Sequence, residues 1–88
     1  MKNNTIKRNI VGYLKFNSVF IFDDLFKSKN IIFGVINGGV FLIIILNKKK
    51  KASPKQKEMM NQINEIGGIS FLAYCCEDVE FELKNYFL

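Results

Sequence analysis

The sequence predicts an α+β fold, a central mixed β-sheet flanked by helices, with elements in the order α-β-β-β-α-β-α. Two apolar runs, residues 31–36 and 40–46, flank an Asn-Gly-Gly turn and are typical of a β-hairpin. The second run is apolar at every position, which indicates a central strand covered on both faces. A capped helix start follows at residues 53–56. The 88 residues suffice for a modest core, so we predict one domain over residues 1–88.

The first two elements precede the hairpin. Residues 5–16 predict an amphipathic helix, with Asn-Ser at 17–18 as its end. Its apolar positions recur at helical spacing: Ile6, Ile10, Tyr13 and Leu14. Residues 19–22 are few, β-branched and aromatic, which favours a strand. Residues 23–30 are mostly polar and predict a loop.

The second helix has the clearest local signal. Ser53 as N-cap, Pro54 at the first helical position and Gln56 at the third form a capping box with a preset first turn. The helix is predicted to carry one apolar face, formed by Met59, Met60, Ile63 and Ile66.

The last two elements follow a glycine pair. Residues 67–68 end the second helix, and residues 69–74 predict a strand. Glu77 and Asp78 then favour the start of a third helix, because acids stabilise a helix N-terminus. Its apolar side is predicted to contain Val79, Leu83, Tyr86 and Phe87.

Charge is distributed unevenly along the chain. Residues 1–57 hold twelve Lys or Arg and two Asp, a net of +10, whereas residues 58–88 hold one Lys and six acids, a net of −5. Such asymmetry is typical of a basic surface that binds nucleic acid or an acidic partner. Two ordinary solvated faces fit the same distribution.

Several function classes are disfavoured by composition. The chain has no His, the commonest general base near neutral pH. Cys75 and Cys76 are adjacent, so they rarely close a disulfide, and two thiols without His make no metal site. We expect ordinary core or surface thiols of a cytoplasmic protein.

A membrane anchor is also disfavoured. The apolar stretch 31–46 precedes a lysine run, which is the order of a short anchor with a positive flank. It is shorter than the about 20 residues of a spanning helix, and the turn at 37–39 interrupts it. Residues 1–5 are polar and do not predict a signal peptide. We therefore expect no membrane partner.

Several motifs occur in an order that resembles a known family. They are the hairpin at 31–45, Ser-Pro-Lys-Gln at 53–56, Gly-Gly-Ile at 67–69 and Cys-Glu-Asp-Val at 76–79. Over nearly the whole chain this order resembles the VRR-NUC nucleases, a compact branch of the PD-(D/E)XK restriction-endonuclease-like fold. The resemblance implies that fold.

The resemblance also implies where a catalytic site would lie. The family has an acid before the first hairpin arm and an acid-x-Lys near the end of the second, to hold Mg²⁺ or Mn²⁺ and activate water. These positions align with Asn30, Ile44 and Leu46. No acid occurs between Asp24 and Glu58, so no shift of the alignment restores the pattern. We predict a degenerate member with no metal, no cofactor and no enzymatic activity.

The remaining candidate site residues are basic. They are Lys48, Lys49, Lys50, Lys51 and Lys55. In the family the corresponding loop lies near nucleic acid, where lysines would contact phosphates. An acidic protein partner, or a solvated loop that only keeps an apolar strand from aggregating, fits the same residues. No aromatic residue is interleaved with the lysines, so base stacking is not predicted.

These observations favour a catalytically inactive, nuclease-like binding protein. Our first hypothesis is a phage or mobile-element protein that inhibits a host nucleic-acid-targeting defence system, as anti-CRISPR proteins do, in the host cytoplasm. Its partner would be a defence effector or the effector's nucleic acid. The alternative is a non-enzymatic nucleic-acid-binding protein that uses the basic loop 48–51, and the missing acids disfavour an active Mg²⁺-dependent nuclease. Because family members of this size often pair, the resemblance also implies a homodimer.

Overall fold

The elements of the chain follow the order that the sequence predicts. A computed structural model describes residues 3–22, 30–46 and 50–84. Its elements are α1 (Asn3–Phe16), β1 (Phe20–Ile21), β2 (Ile31–Ile36), β3 (Gly39–Ile45), α2 (Pro54–Glu65), β4 (Ile69–Ala73) and α3 (Cys76–Leu83). The strands form one sheet in the order β1-β2-β3-β4. β1, β2 and β3 pair antiparallel, and β3 pairs parallel with β4, which confirms the predicted mixed sheet.

A tight turn sets the register of the β2–β3 hairpin. Asn37 and Gly38 have φ angles of 50° and 80°, the left-handed values that a two-residue reversal requires. Ile36 therefore pairs with Gly39, and Ile31, five positions earlier at the start of β2, pairs with Ile44. The predicted hairpin is confirmed.

β3 is the central, fully covered strand. Its odd-numbered side chains pack on one face of the sheet, with those of α1 and α3, and its even-numbered side chains pack on the other, against α2. The buried residues of this segment are Phe41, Leu42, Ile43, Ile44, Ile45 and Leu46. Each such side chain contributes about 1.5–3 kcal/mol when removed from water. The prediction of an interior strand with helices on both faces is confirmed.

α1 and α3 cover the first face. α1 buries Ile6, Ile10 and Leu14 on one side, and α3 buries Val79 and Leu83. Both sets belong to the same apolar cluster, which confirms the periodicity seen in the sequence. The predicted apolar residues at 86 and 87 lie outside the described part of the chain.

α1 ends where the sequence predicts. Ser18 takes a left-handed φ of 60°, and its N–H donates to the Lys15 carbonyl at 3.0 Å. The Val19 N–H donates to the Leu14 carbonyl at 3.0 Å, so these bonds form a Schellman-type helix end. The strand predicted over 19–22 is consequently shorter, because Val19 is engaged in ending the helix.

α2 covers the second face and has the predicted cap. Ser53 Oγ accepts from the Gln56 N–H at 3.1 Å, and Gln56 Oε1 accepts from the Ser53 N–H at 2.9 Å. Half-buried side chains of α2 pack on β3: Met59, Met60 and Ile63. The prediction that Ile66 joins them was wrong, because it is 72% exposed. Gly67, at φ 83°, ends the helix and leaves Ile66 beyond it.

β1 is held against β2 by a close approach at Gly34. An added Cβ there would meet the backbone carbonyl oxygen of Phe20 and, at 2.7 Å, the ring of Phe41. Phe20 and Ile21 pair with Val35 and Gly34, and Phe22 extends the ladder by donating its N–H to the Phe33 carbonyl at 2.8 Å. Glycine is therefore required at position 34 for β1 to pair this closely with β2.

We predict that Gly34→Ala destabilises the fold by about 1–3 kcal/mol, because the methyl group overpacks the space between β1 and the Phe41 ring. Urea unfolding followed by circular dichroism measures the change. Gly12→Ala is the matched control, since the exposed Gly12 of α1 has no atom within 4 Å of an added Cβ. The control should gain up to about 1 kcal/mol from helix propensity. Equal stability of Gly34→Ala and the wild type would contradict this placement of β1.

Candidate functional site

The predicted site residues that the structure describes gather at one end of the sheet. β1, β3 and β4 run in the same direction, so their carboxyl ends and the start of β2 lie together. The Asn30 carbonyl accepts from the Ile45 N–H at 2.7 Å, and the Leu46 N–H donates to the Ala73 carbonyl at 3.0 Å. We call this end of the sheet, with Asn30, Leu46 and residues 50–55, the basic end.

The three positions aligned with the family's catalytic residues come together at this end. Asn30 bonds to the backbone of Ile45, between Ile44 and Leu46 in sequence. Ile44 is 0% exposed and Leu46 is 6% exposed. Their side chains belong to an apolar layer between the sheet and α2, whose buried members are Leu42, Ile44, Leu46 and Ala52.

The apolar layer occupies the space where a hard cation would need oxygen ligands. Mg²⁺ binds through carboxylates, carbonyls and water, none of which an Ile or Leu side chain supplies. Among the described residues, no group of three or more His, Cys, Asp or Glu could hold a metal ion. Ile44 and Leu46 therefore contribute packing and supply no ligand for such a cation.

The basic residues lie beside the layer and face water. Lys50, Lys51 and Lys55 are exposed, whereas Lys48 and Lys49 fall outside the described residues. The Tyr74 hydroxyl donates to the Lys50 carbonyl at 3.2 Å. Two residues further along, Ala52 holds the same segment a second time, because its side chain is buried in the apolar layer. The backbone of this segment is thus held at two points while its lysine side chains remain accessible.

Both faces of the sheet have basic and acidic side chains, since α1 contains Lys7, Arg8 and Lys15 and α2 contains Glu58 and Glu65. The described residues 3–22, 30–46 and 50–57 contain no Asp or Glu. The acids of α3 begin at Glu77 and Asp78, on the helix that packs with α1 on the other face. Asp78 caps the neighbouring turn, because its carboxylate accepts from the Tyr74 N–H at 2.8 Å. The lysines at the start of α2 share that helix with Glu58, three residues after Lys55, and with Glu65.

No family model, curated protein or solved structure matches the chain. The described residues are therefore the evidence for its function. Within them, no helix combines the length and the apolar character needed to cross a membrane.

Three phenylalanines of the β1–β2 half of the sheet were missed by the sequence analysis. The rings of Phe20 and Phe22 lie 4.9 Å apart in an edge-to-face pair, and those of Phe22 and Phe33 lie 5.4 Å apart. Their centroid distances are those of favourable aromatic pairs. The alternation Phe-Ile-Phe at 20–22 places two of them on one face, but the pairing with Phe33 is non-local and had no sequence signal.

The two thiols lie where β4 passes into α3, and both are free, as expected. Cys75 is exposed, whereas Cys76 is half-buried with its Sγ 3.7 Å from the Asn9 carbonyl. Burial raises the pKa of Cys76, and the negative charge of Glu80 raises it further. Burial, then the same Glu80, also raises the pKa of Tyr13.

Restoring a carboxylate in the apolar layer should be strongly unfavourable. We predict that Ile44→Asp lowers the free energy of unfolding by at least about 4 kcal/mol, because the charge would be buried without a partner. Urea unfolding measures the loss. Ile66→Asp is the control on an exposed side chain and should change stability by no more than about 0.5 kcal/mol. Full stability of Ile44→Asp would mean that water or a cation reaches this position.

The thiols should differ in reactivity. At about pH 8, iodoacetamide should modify Cys75 faster than Cys76. The thiolate is the nucleophile, and the raised pKa of Cys76 leaves less of it as thiolate. Cys76 is also less accessible to the reagent than the exposed Cys75. The variants Cys75→Ser and Cys76→Ser, which each retain one thiol, allow the two rates to be measured separately by mass spectrometry. Equal rates, or faster modification in Cys75→Ser, would contradict the burial of Cys76.

The raised pKa of Cys76 also makes the stability of the fold depend on pH. The folded-state pKa of Cys76 lies above its ordinary value of 9.0, so the protonated thiol favours folding. This contribution is fully present below about pH 9 and is lost as pH rises through the folded-state pKa. Thermal midpoints of Cys75→Ser should therefore fall more steeply above that pH than those of the Cys75→Ser/Cys76→Ser double variant.

Proposed function

We propose that this chain is a catalytically inactive, nuclease-like binding protein, related to the VRR-NUC branch of the PD-(D/E)XK fold. In this proposal it inhibits a host nucleic-acid-targeting defence system, as anti-CRISPR proteins do, within the host cytoplasm. The observation that carries it is the packing of Ile44 and Leu46, at the family's catalytic positions, into an apolar layer at 0% and 6% exposure. A nuclease of this kind needs charged side chains at those two positions.

The accessible chemistry at the same end supports binding. Lys50, Lys51 and Lys55 are exposed and surround the start of α2. Ammonium groups at such positions attract phosphates or carboxylates, and the attraction is screened by salt. Defence effectors hold nucleic acid in positively charged channels, which repel lysines. The partner of the basic end would therefore be the effector's nucleic acid or an acidic surface of the effector.

A second candidate is a nucleic-acid-binding protein without a protein target. The observation that favours it is the group of exposed lysines before and at the start of α2, which outnumber the two acids of that helix, Glu58 and Glu65. These lysines are Lys50, Lys51, Lys55 and Lys57. Counterion release upon phosphate contact would supply most of the affinity. This candidate requires no host defence system.

We predict that the triple reversal Lys50→Glu/Lys51→Glu/Lys55→Glu abolishes inhibition. The wild-type chain, expressed in cells that carry a CRISPR system, should restore plaque formation by a targeted phage, and the triple variant should not. Arg8→Glu reverses an exposed charge on α1, on the other face of the sheet, and should retain inhibition. Equal protection by the triple variant and the wild type would exclude the basic end as the binding surface.

Binding by purified protein separates the two candidates. Affinity for a duplex or single-stranded probe, combined with no protection of phage against any tested system, would favour the second candidate. The slope of log affinity against log salt should fall by nearly 1 for each lysine that contacts a phosphate. Mg²⁺-dependent cleavage of either probe would overturn the inactive assignment, and sedimentation tests the homodimer that the proposed family relationship includes.

A further inference from the structure

Phe20, Phe22 and Phe33 form a continuous surface, here called the aromatic face. Alternation along β1 directs Ile21 to the cluster under α1 and α3, and directs its two phenylalanine neighbours to the opposite side of the sheet. Phe33 packs at the margin of the apolar layer under α2. The Phe22 ring lies 5.4 Å from the Phe33 ring, so the three rings follow one another across β1 and β2.

The aromatic face is open to water. α2 contacts β3 and β4, on the far half of the sheet. Phe20 is consequently 60% exposed and Phe22 is 38% exposed. Single exposed apolar side chains are ordinary, but neighbouring aromatic rings in mutual contact form a patch, and such patches mark interaction sites.

The charges on the same side of the sheet as the aromatic face indicate which class of ligand it would bind. Lys50, Lys51 and Lys55 lie at the basic end, on and before α2, which packs on the same side of the sheet as the phenylalanines. Together with Lys57, these lysines outnumber the two acids of α2, Glu58 and Glu65. A ligand that presents flat π-surfaces and regularly spaced negative charges complements both features, and unpaired nucleotides have both.

The distances suit a short single strand. β1 and β4 are separated by three strand spacings in the sheet order. At about 4.8 Å each, these give ~14 Å across the sheet. Ile21 lies level with Phe41, whereas Ala73 lies level with Ile45, four positions further along β3. The ends of β1 and β4 are therefore ~20 Å apart. Single-strand sites hold about 4–16 nucleotides, and ~6 nucleotides at ~3.4 Å each span this separation.

We propose that the aromatic face and the basic end together bind single-stranded nucleic acid. Unpaired bases stack on Phe20 and Phe22, and the phosphates that follow contact Lys50, Lys51 and Lys55. Bases inside a duplex have no free face to stack on these rings, so the site prefers single strands. This inference rests on the nucleic-acid-binding candidate described above and names its ligand class.

The test is fluorescence anisotropy with two labelled probes, an oligothymidine of about 12 nucleotides and a blunt duplex of similar charge. The wild type should bind the single strand at least about tenfold more tightly than the duplex. Phe20→Ala/Phe22→Ala should weaken single-strand binding by about tenfold or more, because base–aromatic stacking is lost, and should leave duplex binding unchanged. Phe20→Tyr/Phe22→Tyr keeps two aromatic rings and should bind as the wild type does.

Phe81→Ala is the matched control, because Phe81 is 69% exposed but belongs to α3 on the other face. It should not change either affinity, and circular dichroism confirms that every variant is folded. If the alanine pair binds both probes as the wild type does while the lysine variant loses both, the nucleic-acid-binding candidate stands and stacking is overturned. If no probe binds, both are overturned, and protection of phage still tests inhibition separately. Sedimentation that changes in the alanine pair, with oligothymidine binding unchanged, would instead identify a self-association surface.

Discussion

The burial of β3 on both faces is the constraint on which the rest of the structure depends. One side of the strand packs with α1 and α3, and the other side packs with α2. Side chains of all three helices belong to the two apolar clusters that this strand divides. A strand in this position cannot present charged side chains on either face without a large desolvation penalty.

This constraint links stability to chemistry. Ile44 and Leu46 fill the side of β3 that faces α2, and their contacts hold this helix on the sheet. The surface left for function then lies around the strand and not on it. Lys50, Lys51 and Lys55 face water at the end of the sheet, and the phenylalanines of β1 face it on the uncovered half.

Local signals in the sequence predicted most of the fold. The Asn37-Gly38 turn, the Ser53 capping box and the unbroken apolar run of β3 each depend on neighbouring residues, and each is confirmed. Ile66 was misplaced because its helical spacing continues past the residue at which Gly67 ends the helix. The resemblance aligned three positions that do converge at the basic end, but the aromatic face depends on the register of β1 against β2, which has no local signature.

Tyr74 joins two parts of the chain that are distant in sequence. Its hydroxyl bonds to the Lys50 carbonyl, and its backbone N–H bonds to the Asp78 carboxylate. Tyr74 therefore connects the segment before α2 to the first turn of α3 by hydrogen bonds. Much of the conformational freedom of the backbone at Lys50 is lost on folding, so less has to be lost on binding. A movement of the Lys50 backbone on ligand binding would therefore also shift Tyr74 and, through it, the start of α3 on the opposite side of the sheet.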